Sequence, residues 1–114
     1  MAPDGFSERR KSPRIKTGLA LEIRHPASSS PLRVTTSEIS LGGCYIETMF
    51  TLEVGTQLEM TLWINDEKVP AKGVVATRYP QVGNGINILE MANEDRAKLE
   101  SFLKTQETLV PKPF

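Results

Sequence analysis

Apolar and polar residues alternate along six short stretches of the chain, and the period lengthens only once, near the C-terminus. From Gly18 to Arg24, Leu19, Leu21 and Ile23 share one face and Ala20, Glu22 and Arg24 the other, the period-two pattern of a half-buried strand. A loop from His25 to Pro31 follows, in which two prolines flank small polar residues. Leu32 to Ser37 is a second strand, with Leu32, Val34 and Thr36 alternating, and Ser40-Leu41-Gly42-Gly43 ends it in a turn. Cys44 to Thr48 is a third, with Cys44, Ile46 and Thr48 on one face. After Gly55, Leu58, Met60, Leu62 and Ile64 alternate with Glu59, Thr61 and Trp63 in a fourth. The turn signal Asn65-Asp66-Glu67 predicts that the fifth, Val69 to Arg78, returns as a hairpin. Tyr79 to Gly83 is a loop containing Pro80, and Gly85 to Leu89 is a short sixth strand.

The helical segment begins at Asn93, a residue suited to capping, with Glu94 and Asp95 in the first turn where carboxylates favour the helix dipole. Leu99, Phe102 and Leu103 fall at i, i+3 and i+4 and make one apolar stripe, and the helix is expected to end near Lys104. Six strands in succession and one helix predict a mainly β fold, a six-stranded antiparallel β-barrel with a C-terminal α-helix. A closed barrel leaves no sheet edge exposed, and the helical stripe would lie over an open end or a seam. The expected organisation is a lead-in at 1–7, one barrel domain at 8–104 with an Arg-rich arm at 8–16, and a tail at 105–114 containing Pro111 and Pro113.

Composition narrows the class. The chain has 114 residues, enough for one domain with a single core. One cysteine, Cys44, excludes an intramolecular disulfide, and with His25 the sole histidine the common zinc patterns are excluded too. No apolar run reaches the length of a membrane span, and the first residues lack the apolar centre of a secretory signal. The expectation is a soluble cytoplasmic protein with a reduced thiol, no membrane insertion and no cofactor.

The net charge is zero, with 14 basic and 14 acidic residues, but it is unevenly placed. Residues 1–33 carry +4 and residues 34–114 carry −4, and five cations fall between Arg9 and Lys16. Such asymmetry points to a local anion site on an acidic body. It suits a small dianionic ligand and does not suit a long nucleic acid, which needs basic surface along a whole face.

Catalysis finds no support in the sequence. His25 lies in a Pro/Ser loop and reads as an exposed histidine, and no G-x-S-x-G surrounds a serine. Cys44 reads as a buried structural thiol. Two other segments carry binding chemistry. Arg9-Arg10-Lys11-Ser12-Pro13-Arg14 concentrates guanidinium groups, which grip phosphate bidentately, stack on flat rings and pair with guanine O6 and N7. Ser37-Glu38-Ile39-Ser40-Leu41-Gly42-Gly43 offers a carboxylate able to accept from the N1–H and N2–H of guanine, a hydroxyl two residues on, and a glycine that lets a ligand approach the backbone. Together the two segments match the donors and acceptors of a guanine nucleotide.

Arg10-x-x-x-Arg14, followed after a strand pair by Glu38-x-Ser40-x-x-Gly43, resembles the two motifs of PilZ domains, bacterial receptors for cyclic di-GMP. The resemblance covers about Glu8 to Leu103, including Val74-Val75-Ala76, Gly85 to Ile88 and the Asn93 helix. It implies a six-stranded barrel with a C-terminal helix. It also implies that Arg10 and Arg14 hold phosphates and guanine, that Ser40 contacts the ligand, and that Gly43 permits close approach. Arg9 before the motif implies a stacked pair of ligand molecules, and Arg78 is a candidate stacking contact. Glu38 departs from the family's Asp or Asn by one methylene; losing a charge-assisted hydrogen bond there would cost about 1.5–3 kcal/mol. The implied function is a stand-alone receptor, not an enzyme, whose liganded surface is read by a downstream effector protein. The alternatives are a PilZ-like protein-interaction module of pilus or motility machinery that binds no nucleotide, with an apolar patch at Trp63, Phe50 or the tail, and a barrel binding single-stranded nucleic acid. Seven dispersed aromatics serve the last poorly.

Overall fold

The computed structural model describes residues 15–27, 30–49 and 51–109. Six strands, β1 (Ala20–Arg24), β2 (Leu32–Ser40), β3 (Gly43–Glu47), β4 (Gln57–Ile64), β5 (Glu67–Tyr79) and β6 (Gly83–Glu90), precede helix α1 (Asn93–Leu109). All pairings are antiparallel, and the order β1-β2-β3-β6-β5-β4 closes on itself as a barrel. The predicted fold class is the observed one.

Alternation fills the interior as expected. Leu21, Ile23, Ile46, Leu58, Met60, Leu62, Ile64, Val69, Val75 and Ile86 are all buried. The β4–β5 hairpin turns on Asn65 and Asp66 alone, with φ of 51° and 68°. Two left-handed residues make the tight turn whose twist matches its strands, and Asn and Asp tolerate that conformation best after glycine.

Helix α1 covers the barrel end beside that hairpin. Leu99 and Leu103 are buried in the core and Phe102 packs against it, as the stripe predicts. Lys98 Nζ reaches Glu67 Oε1 at 3.1 Å, fastening the helix to the start of β5. Two details differ from expectation. The first helical bond runs from Arg96 N–H to the Ala92 carbonyl, which puts Ala92 rather than Asn93 at the cap position. The helix also continues past Lys104 to Leu109, so the first part of the expected tail is helical. No breaker occurs in Thr105 to Thr108; Pro111 is the first residue that disfavours the helix, through its predecessor.

The opposite end is plugged by the segment after β3. Asn84, fully buried on β6, binds both backbone groups of Leu52 and donates to the Thr77 carbonyl at 3.1 Å.

Most strand limits move outward from the predicted ones, and one shift carries consequences. β2 does not end at Ser37 but runs to Ser40, through a bulge between Thr36 and Glu38. Strict alternation from Val34 and Thr36 would turn Glu38 inward. The extra residue resets the phase, so Thr36 and Ile39 are buried and Glu38 turns out. Thr36 is satisfied inside: it accepts from Leu19 N–H at 2.9 Å and donates to the Thr17 carbonyl at 2.8 Å. Leu32 is 46% exposed rather than turned into the core.

Candidate functional site

The Glu38-x-Ser40-x-x-Gly43 segment borders a groove of about 610 Å³ on the outer face of β2, β3, β6 and β5. Register aligns one residue from each strand across its floor: Glu38 lies opposite Tyr45, Tyr45 opposite Gly85, and Gly85 opposite Thr77. A bulge stands at each side. The one in β2 aims Glu38 outward; the one in β5, between Val75 and Thr77, does the same for Thr77. Bulges commonly re-aim side chains beside binding sites. Thr77 Oγ1 accepts from Gly85 N–H at 3.1 Å.

Ser40 shapes the turn. Its Oγ accepts from Gly42 N–H at 3.2 Å and stands 3.4 Å from the Gly43 carbonyl, toward which it donates. Gly43 lines the groove, but a different neighbour demands its lack of a side chain. A Cβ there would run into the Ile86 carbonyl of β6. β3 and β6 thus approach too closely for alanine, a packing demand on this glycine that the sequence pattern does not show.

Arg78 is not brought to the groove. Its neighbours Thr77 and Tyr79 line it, so alternation sends Arg78 the other way, where its register partner is the inward-facing Asn84. Its Nε donates to Thr51 Oγ1 at 2.9 Å. Arg9, Arg10 and Arg14 lie outside the described residues, as do the lead-in at 1–7, most of the arm, Phe50 and the last residues of the tail. The arm's end is described. Ile15, buried, donates its N–H to the Ile39 carbonyl at 2.9 Å and accepts from Ile39 N–H at 3.0 Å. The chain thus joins the barrel at the residue between Glu38 and Ser40.

Among the groove residues that were not sequence candidates, Tyr45, Thr77, Tyr79 and Asn87 bring polar side chains not buried in the core. Tyr45 was within reach of pattern reading, because it sits between the inward Cys44 and Ile46 on the strand after the motif. Thr77 was not, because its bulge breaks the period. The Tyr45 and Tyr79 rings are 6.2 Å apart at 54°. Burial, then the neighbouring Tyr79 and Glu47, hold the Tyr45 phenol above its ordinary pKa.

The remaining chemistry is structural. Burial pushes the Cys44 thiol up to about 12. His25 is half-buried rather than exposed, and its Nδ1 accepts from Ala27 N–H at 2.9 Å within the turn. Trp63 forms no open apolar patch, since Arg33 lies 4.6 Å and Lys68 5.9 Å from its ring centre. Among the described residues no group of side chains could hold a metal ion, and no helix is long and apolar enough to cross a membrane. A larger depression of about 1010 Å³ lies beside the start of α1, where Arg24, Glu59, Lys72 and Glu90 alternate in sign across four strands; it contains no motif residue.

Comparison with known proteins decides the family: the model of the PilZ domain matches residues 8–105. The chain belongs to the PilZ domain family. Among solved structures it is similar to the Bacillus subtilis inhibitor of motility MotI/DgrA, with TM-score 0.75 and 18% identity over 90% of this chain; it spans about half, 54%, of that protein. It is similar to the PilZ domain of E. coli YcgR, solved with c-di-GMP, with TM-score 0.70 and 15% identity over 88% of this chain and 92% of that one. The PilZ domain of CeSA from a cellulose-synthesising bacterium gives TM-score 0.66 and 13% identity over 84% and 99% of the two chains. At these identities the structural likeness concerns the fold. No curated protein sequence matches the chain.

Proposed function

We propose that this PilZ domain is a receptor for cyclic di-GMP, held between the Arg-rich arm and the Glu38–Gly43 side of the groove. The observation that carries the reading is the paired hydrogen bonding of Ile15 with Ile39. Arg14 and Arg10 precede that joint by one and five residues, so the arm enters beside Glu38 and Ser40. Arg10 and Arg14 grip the phosphates and guanine edges, and the Glu38 carboxylate accepts from guanine N1–H and N2–H. Ser40 fixes the turn and presents its hydroxyl at the rim. Arg9 favours a stacked pair of ligands. Arg78 has no place in this site.

The two phosphate charges of the ligand complement a segment of +4 on a body of −4. Support also comes from the YcgR domain, which shares the fold and was solved with c-di-GMP. The liganded surface is read by a downstream protein in the bacterial cytoplasm; the similarly folded MotI/DgrA is an inhibitor of motility.

A thermal shift measurement with titration calorimetry tests this. Cyclic di-GMP at 100 times Kd stabilises by about 2.7 kcal/mol, roughly 10 °C in Tm at this size, and GTP leaves Tm unchanged. Arg10→Ala and Arg14→Ala each remove most of the shift while the unliganded Tm stays in place. No shift with saturating cyclic di-GMP sinks the reading. The calorimetric stoichiometry distinguishes one ligand from two.

A further inference from the structure

Tyr45 is laid down by its neighbours rather than left standing on the sheet. A Cβ built on Gly83 would lie 2.7 Å from the Tyr45 hydroxyl and 2.8 Å from Cζ, and one on Gly85 would lie 3.9 Å from a ring carbon. The ring therefore occupies the space that a side chain at Gly83 would fill; beside Gly85 it is in ordinary contact, and there Thr77 Oγ1 takes the place of a side chain. An aromatic covering a cross-strand glycine in this way shields the backbone and loses its own freedom. Tyr79, itself 54% exposed, flanks it at 6.2 Å. The result is a fixed aromatic surface in the middle of the groove floor, with the Glu38 backbone directly opposite Tyr45 in register.

We infer that Tyr45 is the stacking platform for a guanine base, and that Gly83 is the device that leaves room for its ring to lie on the sheet. This rests on the cyclic di-GMP reading above and adds a residue outside both motifs. The base lies on the ring while the carboxylate across the strand pair takes its Watson–Crick edge. Stacking supplies affinity without choosing among bases, since every base has a π-face, so Glu38 supplies the choice. Tyr79 walls the platform on its β5 side.

Calorimetry with cyclic di-GMP on the wild type, Tyr45→Phe and Tyr45→Leu tests the inference. Tyr45→Phe keeps the ring and retains the wild-type Kd. Tyr45→Leu weakens binding by roughly 5- to 150-fold, the range of a lost base–aromatic stack. The unliganded Tm of each variant verifies the fold. Proton NMR supplies an independent reading: the guanine H8 resonance of bound ligand moves further upfield in the wild type and in Tyr45→Phe than in Tyr45→Leu, which lacks the ring. A folded Tyr45→Leu that binds like the wild type, or an H8 shift equal in the two, overturns the platform and leaves the receptor reading standing. A wild type that gives no binding heat overturns the receptor reading itself, and the platform with it.

Discussion

Asn84 and Leu52 hold each other through two hydrogen bonds: Leu52 N–H donates to Asn84 Oδ1 at 2.8 Å, and Asn84 Nδ2 donates to the Leu52 carbonyl at 2.9 Å. A side-chain amide here does what a neighbouring strand would do, pairing the backbone of a loop that seals one end of the barrel. Asn84→Leu matches the volume but leaves these groups without partners. It should destabilise the fold by about 2–3 kcal/mol, the usual cost of orphaning buried polar groups. Thermal denaturation would show Tm lower by roughly 10–20 °C.

The two adjacent glycines of the turn should separate cleanly. A Cβ at Gly43 collides with the Ile86 carbonyl, whereas one at Gly42 finds Ser40 Oγ at 3.9 Å, ordinary contact. Gly43→Ala is expected to destabilise the unliganded protein by about 1–3 kcal/mol through overpacking. Gly42→Ala should stay within about 0.5 kcal/mol of wild type. Urea unfolding of the two variants without ligand makes the comparison, and equal midpoints would contradict it.

Arg78→Ala should lose only the bond to Thr51, an exposed contact, and so change the unliganded Tm little. The thermal shift given by cyclic di-GMP should be the same in this variant as in the wild type. A lost shift would return Arg78 to the site.

The Cys44 thiol gives stability a defined slope in alkali. Its pKa rises from 9.0 to about 12 on burial. Above pH 9 the unfolded chain releases this proton while the folded one keeps it, so this contribution is complete below pH 9 and is lost as pH rises towards 12. Cys44→Ala should flatten the fall in stability by up to about 1.4 kcal/mol per pH unit in that window. Denaturant titrations at several pH values compare the two slopes. The folded wild type should also resist thiol reagents at pH 8 until it is unfolded.

The barrel was readable because most of its interior follows period two: Leu19, Leu21 and Ile23 on one side, Leu58, Met60, Leu62 and Ile64 on another, are all buried. The helix was readable from Leu99, Phe102 and Leu103, though its end was not, since Thr105 to Thr108 hold neither a large apolar residue to carry the pattern on nor a breaker to stop the helix. Glu38 and Ser40 could be named from their chemistry, but not aimed. Alternation points Glu38 the wrong way, and only the bulge after Thr36 corrects it. Thr77 was hidden by the same kind of interruption in β5. Arg78 was chosen by charge at a strand end, and the parity of β5 puts it on the other face. The role of Gly43 depends on the distance between β3 and β6, which no local pattern encodes.

The row Glu38, Tyr45, Gly85, Thr77 crosses three gaps between hydrogen-bonded strands. Each gap is about 4.8 Å, so the row works as a ruler of about 14 Å whose divisions are set by backbone bonds. Connecting loops can lengthen or change sequence without altering that scale. Recognition distances stored in strand spacing are transferable. Grafting the four positions and their two bulges onto another closed barrel of the same register should carry the groove's dimensions with them.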